Sequence, residues 1–265
     1  MITSPKRSPL TFFLLVFAFS IPFLVAGALT GSQLLPGLPF SALGFLCPAV
    51  AAAILVYRAD GRAGVFALLK RSFDFKRIGA KAWLLLLILL EPIIMALSYL
   101  VIRLTGVTIP LPQISVLPAL ALFVAFFFGG LGEELGWSGY AIDPLQDRFG
   151  ALKGSLLLGV VWVVWHYIPL LQAHRSMEYI AWWSLGTLAE RVIIVWLYNN
   201  TGRSVFVAAV FHAMSNLTWQ LFPVNGSYYD PRVTSLITAI VAVAVVIVWG
   251  QHTLTRRKTP GLASG

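Results

Sequence analysis

Polar positions are sparse along this chain, and their clusters divide it into eight apolar stretches. These lie near 9–29, 39–57, 82–104, 115–142, 152–172, 179–199, 204–222 and 233–250. A helix crosses a bilayer with about 20 mostly apolar residues, so each stretch predicts a spanning helix. The fourth is long and the seventh short. The expected fold is all-α: a polytopic membrane protein of about eight transmembrane helices, read as a single integral membrane domain over 1–265. The link 58–81 has a different pattern. Val65, Phe66, Leu68, Leu69, Phe73 and Phe75 are interleaved with basic residues, which predicts an amphipathic helix lying at the membrane interface. The Ala-Gly-Ala at 26–28 resembles a signal-peptidase site, but the apolar run before it is longer than a usual signal h-region. The first stretch is therefore counted as a spanning helix.

Composition supports this reading. The chain is 58% hydrophobic and 11% charged, with a mean hydropathy of +0.84, whereas soluble domains are about 25% charged. The single cysteine, Cys47, excludes an intrachain disulfide and a thiolate metal centre within one chain. A net charge of +9 would suit a nucleic-acid partner, but its distribution argues against one. Lys6 and Arg7 precede the first segment. Seven basic residues fill the 58–81 link, Arg148 and Lys153 join segments four and five, and Arg203 joins six and seven. Arg256, Arg257 and Lys258 lie in the tail. The alternate links hold only Arg175 and Arg232. The positive-inside rule then puts both termini in the cytoplasm, expected to be that of a bacterium behind its plasma membrane. The charge is read as a topology signal with attraction to anionic lipid, and nucleic acid is not an expected partner.

Ionisable residues inside apolar segments are functional candidates by default, because each is costly at membrane depth. Here they are Glu91, Glu133, Glu134, His166, Glu190, Arg191 and His212. Helical rise places Glu133 roughly 14 Å, His212 roughly 12 Å and His166 roughly 20 Å from the cytoplasmic ends of their helices. Residues four apart share a helix face, which pairs Glu133 with Trp137, Glu134 with Ser138, Trp162 with His166, and His212 with Asn216. Glu133 and Glu134 are adjacent, so they point about 100° apart and cannot do the same work. A carboxylate beside an imidazole can deprotonate a water. A histidine and an asparagine amide can donate to an oxyanion. Alternatively, Glu133, His166 and His212 could ligate Zn²⁺ with a position left for water.

Three motifs resemble those of the CAAX prenyl endopeptidase family of intramembrane proteases. The family's Glu-Glu-x-x-x-Arg corresponds to "EELGWS" at 133–138, its Phe-x-x-x-His to "WVVWH" at 162–166, and its His-x-x-x-Asn/Asp to "HAMSN" at 212–216. The resemblance is strongest over about 120–220, within a catalytic core read as 115–222. It implies an endopeptidase acting on a membrane-associated peptide or protein, such as a prenylated tail or a bacteriocin-like precursor. It also implies Glu133 and His166 activating water, His212 and Asn216 stabilising the oxyanion, and Glu134 supporting them. Either no cofactor or a zinc ion is compatible with the residues. The alternatives are a non-proteolytic scaffold or bacteriocin-immunity-type protein, and a proton-coupled transporter using the Glu and His residues as a relay. Two departures stand out. Trp162 keeps a bulky ring where the family has Phe. Ser138 stands where the family has Arg, so Glu134 lacks its expected partner; Arg191 from another helix is the candidate to supply the charge, the alternative being that Arg191 pairs with Glu190 or snorkels to the interface.

Overall fold

The computed structural model describes residues 7–255; the basic residues Lys6, Arg256, Arg257 and Lys258 lie outside them. The helices follow the apolar pattern closely. They are α1 Pro9–Thr30, α2 Cys47–Lys70, α3 Lys81–Leu104, α4 Val116–Gly136, α5 Ile142–Phe149, α6 Ala151–Gln172, α7 Met177–Asn200, α8 Val205–Leu221 and α9 Pro231–Trp249. Among the described residues, seven helical stretches are long and apolar enough to cross a membrane, and α8 is a shorter apolar helix of 17 residues. This is an all-α polytopic membrane fold. The outward faces are apolar, as at Leu85, Ile88, Val160, Ile240 and Ile247. That is the surface expected of helices solvated by lipid.

Three features depart from the simple pattern. A short antiparallel ribbon, β1 Gln33–Leu35 paired with β2 Leu38–Pro39, follows α1, turning on Gly37 at φ 77. A 3₁₀ stretch over Phe40–Leu46 then leads into α2. The interfacial link is also less regular than a single amphipathic helix. Gly61 adopts φ 64, ψ −159 and breaks α2, a conformation that glycine adopts without a Cβ penalty. The remainder runs helically to Lys70 and ends in two 3₁₀ turns, Arg71–Phe73 and Phe75–Arg77.

The third departure lies next to the glutamates. α4 does not end at Gly136 but widens into a π-helical turn, Trp137–Ala141, before α5. A π turn displaces backbone carbonyls from their usual partners. Gly139 O instead accepts from Arg7 Nη1 at 3.1 Å and Arg71 Nη1 at 2.9 Å. Arg71 also donates to Tyr198 Oη at 2.7 Å and to Arg203 O at 2.9 Å. A basic residue that counts toward topology in the sequence thus also ties the 58–81 link to the end of α4.

α4 packs along α8 and against α2, and α7 packs against α6 and α9. Glycines on α4 permit the close approach. A Cβ on Gly130 would lie 3.1 Å from Ala209 O and 3.3 Å from His212 Cγ, and one on Gly136 would lie 2.6 Å from Pro48 O. The main core, around Trp137, Ile193, Ile194, Leu197, Ala208 and Phe211, encloses the side of α4 that carries the two glutamates.

Candidate active site

The structure brings Glu133, Trp162, His166, His212 and Asn216 to the wall of one cavity of about 510 Å³. That volume is typical of small-molecule and peptide side-chain sites. α4 supplies the first, α6 the next two and α8 the last two. Glu134, Ser138 and Arg191 lie behind this wall, with Glu134 and Arg191 both 0% exposed and Ser138 1%.

The two glutamates have separate surroundings. Glu133 Oε2 accepts from Trp162 Nε1 at 2.7 Å and from Trp137 Nε1 at 3.2 Å. Both donors fall on one oxygen, which leaves Oε1 uncommitted on a residue that lines the cavity. Glu134 faces away, into three donors. Arg191 Nη1 lies 3.0 Å from Oε2, the Ser138 hydroxyl donates to the same oxygen, and His212 Nδ1 lies 3.2 Å from Oε1. The ion pair of Arg191 is with Glu134, not with its neighbour Glu190. Ser138 lacks the charge of the family arginine but supplies a hydrogen bond, and α7 supplies the guanidinium.

Trp162 joins the parts of the site. Its indole N–H holds Glu133, and its carbonyl meets His166 Nδ1 at 2.8 Å. Its ring carries the Arg191 guanidinium over one face, with Cζ 4.0 Å from the centroid. That geometry is a cation–π contact. The His212 ring stands nearly perpendicular to it, with centroids 5.2 Å apart. In sequence Trp162 is a bulky substitute for phenylalanine. The polar N–H that phenylalanine lacks could be noticed in the sequence, but its partner on α4 could not.

The contacts at each Nδ1 assign the two histidines different hydrogen-bonding roles. A carbonyl only accepts, so His166 Nδ1 carries the proton and, in the neutral ring, Nε2 is an acceptor. The His166 ring is packed by Trp162, Trp165 and Trp183, with centroids 4.7–5.5 Å away. His212 Nδ1 donates to the Arg191-paired carboxylate of Glu134, so its Nε2 donates a hydrogen bond only when the ring is an imidazolium. The Asn216 side chain lines the cavity four residues along the same face of α8. Among the described residues, no group of three or more His, Cys, Asp and Glu side chains is arranged to hold a metal ion.

Residues 115–218 match the model of the family described as "Type II CAAX prenyl endopeptidase Rce1-like". This segment, which holds all three motifs, is similar to the Rce1-like family. Over 272 residues the chain is 28% identical to CAAX prenyl protease 2 of Methanococcus maripaludis, covering 93% of this chain and 96% of that protein. It is 25% identical over 231 residues to lysostaphin resistance protein A of Staphylococcus aureus strain Newman. That match covers 80% of this chain but about half of the relative, 51%. The Rce1-like segment begins with α4 and ends within α8, so it contains the helices that carry Glu133, Trp162, His166, Arg191, His212 and Asn216.

The cavity also has walls outside the three motifs. Tyr179, Trp183, Trp219 and Tyr229 line the same space. Aromatic residues in apolar segments carry no local signal that separates core from cavity wall. Glu91 and Glu190 were visible as charges at membrane depth, but which way they face is a tertiary fact.

Proposed function

We propose that the protein is an intramembrane endopeptidase that hydrolyses a peptide bond of a membrane-associated peptide or protein bound in the cavity, with both termini on the cytoplasmic side of a bacterial plasma membrane. The observation that carries the reading is the split between the glutamates: Glu133 has a free oxygen at the cavity wall, and Glu134 is spent on Arg191, Ser138 and His212.

In this mechanism a water lies between Glu133 Oε1 and His166 Nε2. It donates one proton to the carboxylate and hydrogen-bonds to the imidazole. Its oxygen attacks the scissile carbonyl carbon as the carboxylate takes up that proton. The resulting oxyanion accepts from His212 Nε2–H, in the imidazolium form, and from the Asn216 amide. Glu133 then passes its proton to the departing amine, the C–N bond breaks, and the carboxylate is regenerated. Arg191 and Glu134 do not touch the reacting atoms. They hold the His212 ring, and the water-excluding wall makes each donor stronger than it would be in bulk water. No step requires a metal.

The test is Glu133→Gln in purified protein reconstituted into liposomes containing membrane-tethered peptides, with cleavage followed by mass spectrometry. Loss of cleavage by about 10²-fold or more with unchanged folding and expression is expected, since a positioned general base contributes about 10²–10⁴. Parent activity should also survive a strong zinc chelator. A Glu133→Gln protein that supports the parent's cellular phenotype would instead favour a non-proteolytic scaffold.

A further inference from the structure

Two acids line the cavity without serving the water-activating group. Glu91 sits on α3 just before Pro92, 5% exposed. Glu190 sits on α7 beside Arg191, but its Oε1 is buried with no hydrogen-bond partner. Both side chains line one cavity, as does Ser215. Among the described residues, Glu91 has no hydrogen-bond or ion-pair partner. A carboxyl oxygen buried without a hydrogen-bond partner is costly, and two acids facing one cavity add to that cost. Such an arrangement is stabilised when a cation enters.

A second feature of the same wall suits a cation independently of the acids. Tyr179 and Tyr229 stand with ring centroids 6.3 Å apart, and both line the cavity with Glu91 and Glu190. Arg175, which lines the same cavity, already stacks on this pair, with its Cζ 4.7 Å from the Tyr179 centroid. Aromatic faces joined to carboxylates are the chemistry that holds ammonium and guanidinium groups.

We propose that Glu91 and Glu190, walled by Tyr179 and Tyr229, form a cation subsite that receives an ammonium or guanidinium group of the substrate. This rests on the reading that substrate occupies the cavity. It makes lysine or arginine near the cleaved bond a specificity determinant. The subsite residues lie on α3 and α7, and Glu133 and the two histidines on α4, α6 and α8.

Binding tests this without cleavage. The probes are hexylguanidinium, hexylamine in its ammonium form, hexanol and heptanoate, titrated into the purified full-length protein in detergent. Fluorescence of the cavity tryptophans and thermal stability report binding. Parent protein should bind the two cations at least tenfold more tightly than hexanol, and heptanoate least. Glu91→Gln and Glu190→Gln, tested separately, should each reduce the preference for cations while leaving hexanol binding unchanged. Equal affinity of parent protein for hexylguanidinium and hexanol would overturn the subsite, since two acids sharing a proton would give that result. Full cation preference in both Gln variants would overturn it too. Because Glu133→Gln should retain the cation preference while losing cleavage, failure of the subsite and failure of the protease reading give separate results.

Discussion

Arg191 provides the most direct test of how this site is held. Its guanidinium and the Glu134 carboxylate are both fully buried and 3.0 Å apart, so Arg191→Gln leaves a buried carboxylate with only Ser138 and His212. Breaking a buried pair by removing one partner costs about 3–5 kcal/mol. At about 2–4 °C per kcal/mol for a chain of this size, the melting temperature should fall by roughly 6–20 °C. The family arginine gives the experiment a second arm. Ser138 and Arg191 donate to the same oxygen, Glu134 Oε2. An arginine at 138 would therefore claim the place that Arg191 fills. Ser138→Arg alone should destabilise by overpacking a closed site, by about 1–3 kcal/mol, with like-charge repulsion added. Ser138→Arg combined with Arg191→Gln should recover much of both losses, with a coupling energy of about 0.5–3 kcal/mol. Thermal unfolding of all four proteins in detergent measures the cycle, and cleavage of a tethered peptide measures its effect on activity. Strictly additive losses, or an Arg191→Gln protein within 1 kcal/mol of the parent (a change of about fivefold in the folding equilibrium), would refute the exchange of a charge between α4 and α7.

Two further substitutions probe the packing around this pair. Trp162→Phe keeps the ring that faces Arg191 and His212 but removes the N–H that lies 2.7 Å from Glu133. A hydrogen bond to a charged group is worth about 1.5–3 kcal/mol, so cleavage should drop by roughly 10- to 150-fold with little change in the Arg191 contact, read as peptide turnover alongside a melting curve. Gly136→Ala would press a methyl group to 2.6 Å from Pro48 O. It should cost about 1–3 kcal/mol in thermal unfolding, whereas alanine at Gly129, where nothing lies within 4 Å, should cost far less.

The apolar periodicity alone determined which parts of this chain become helices. Hydropathy is a property of local sequence, and at bilayer length it leaves the backbone little alternative to helix. The eight predicted stretches therefore agree with α1–α4 and α6–α9 to within a few residues at most ends. The exceptions are local too. Gly61 breaks α2, and the fourth stretch passes through a π turn into α5. Helical spacing likewise determined that Glu133 and Glu134 must diverge, and that Trp162 sits over His166 and His212 over Asn216. What the sequence could not assign is every contact between helices. That Glu133 accepts from Trp162, that Arg191 reaches Glu134 past its neighbour Glu190, and that His166 and His212 have different Nδ1 partners all depend on the relative rotation and depth of α4, α6, α7 and α8. Small residues such as Gly130 permit that approach, and its register is a property of the packed whole. Ser138 shows the distinction most clearly. In sequence it is a missing charge. In the folded chain it is one of three donors around a carboxylate whose charge partner lies 57 residues away.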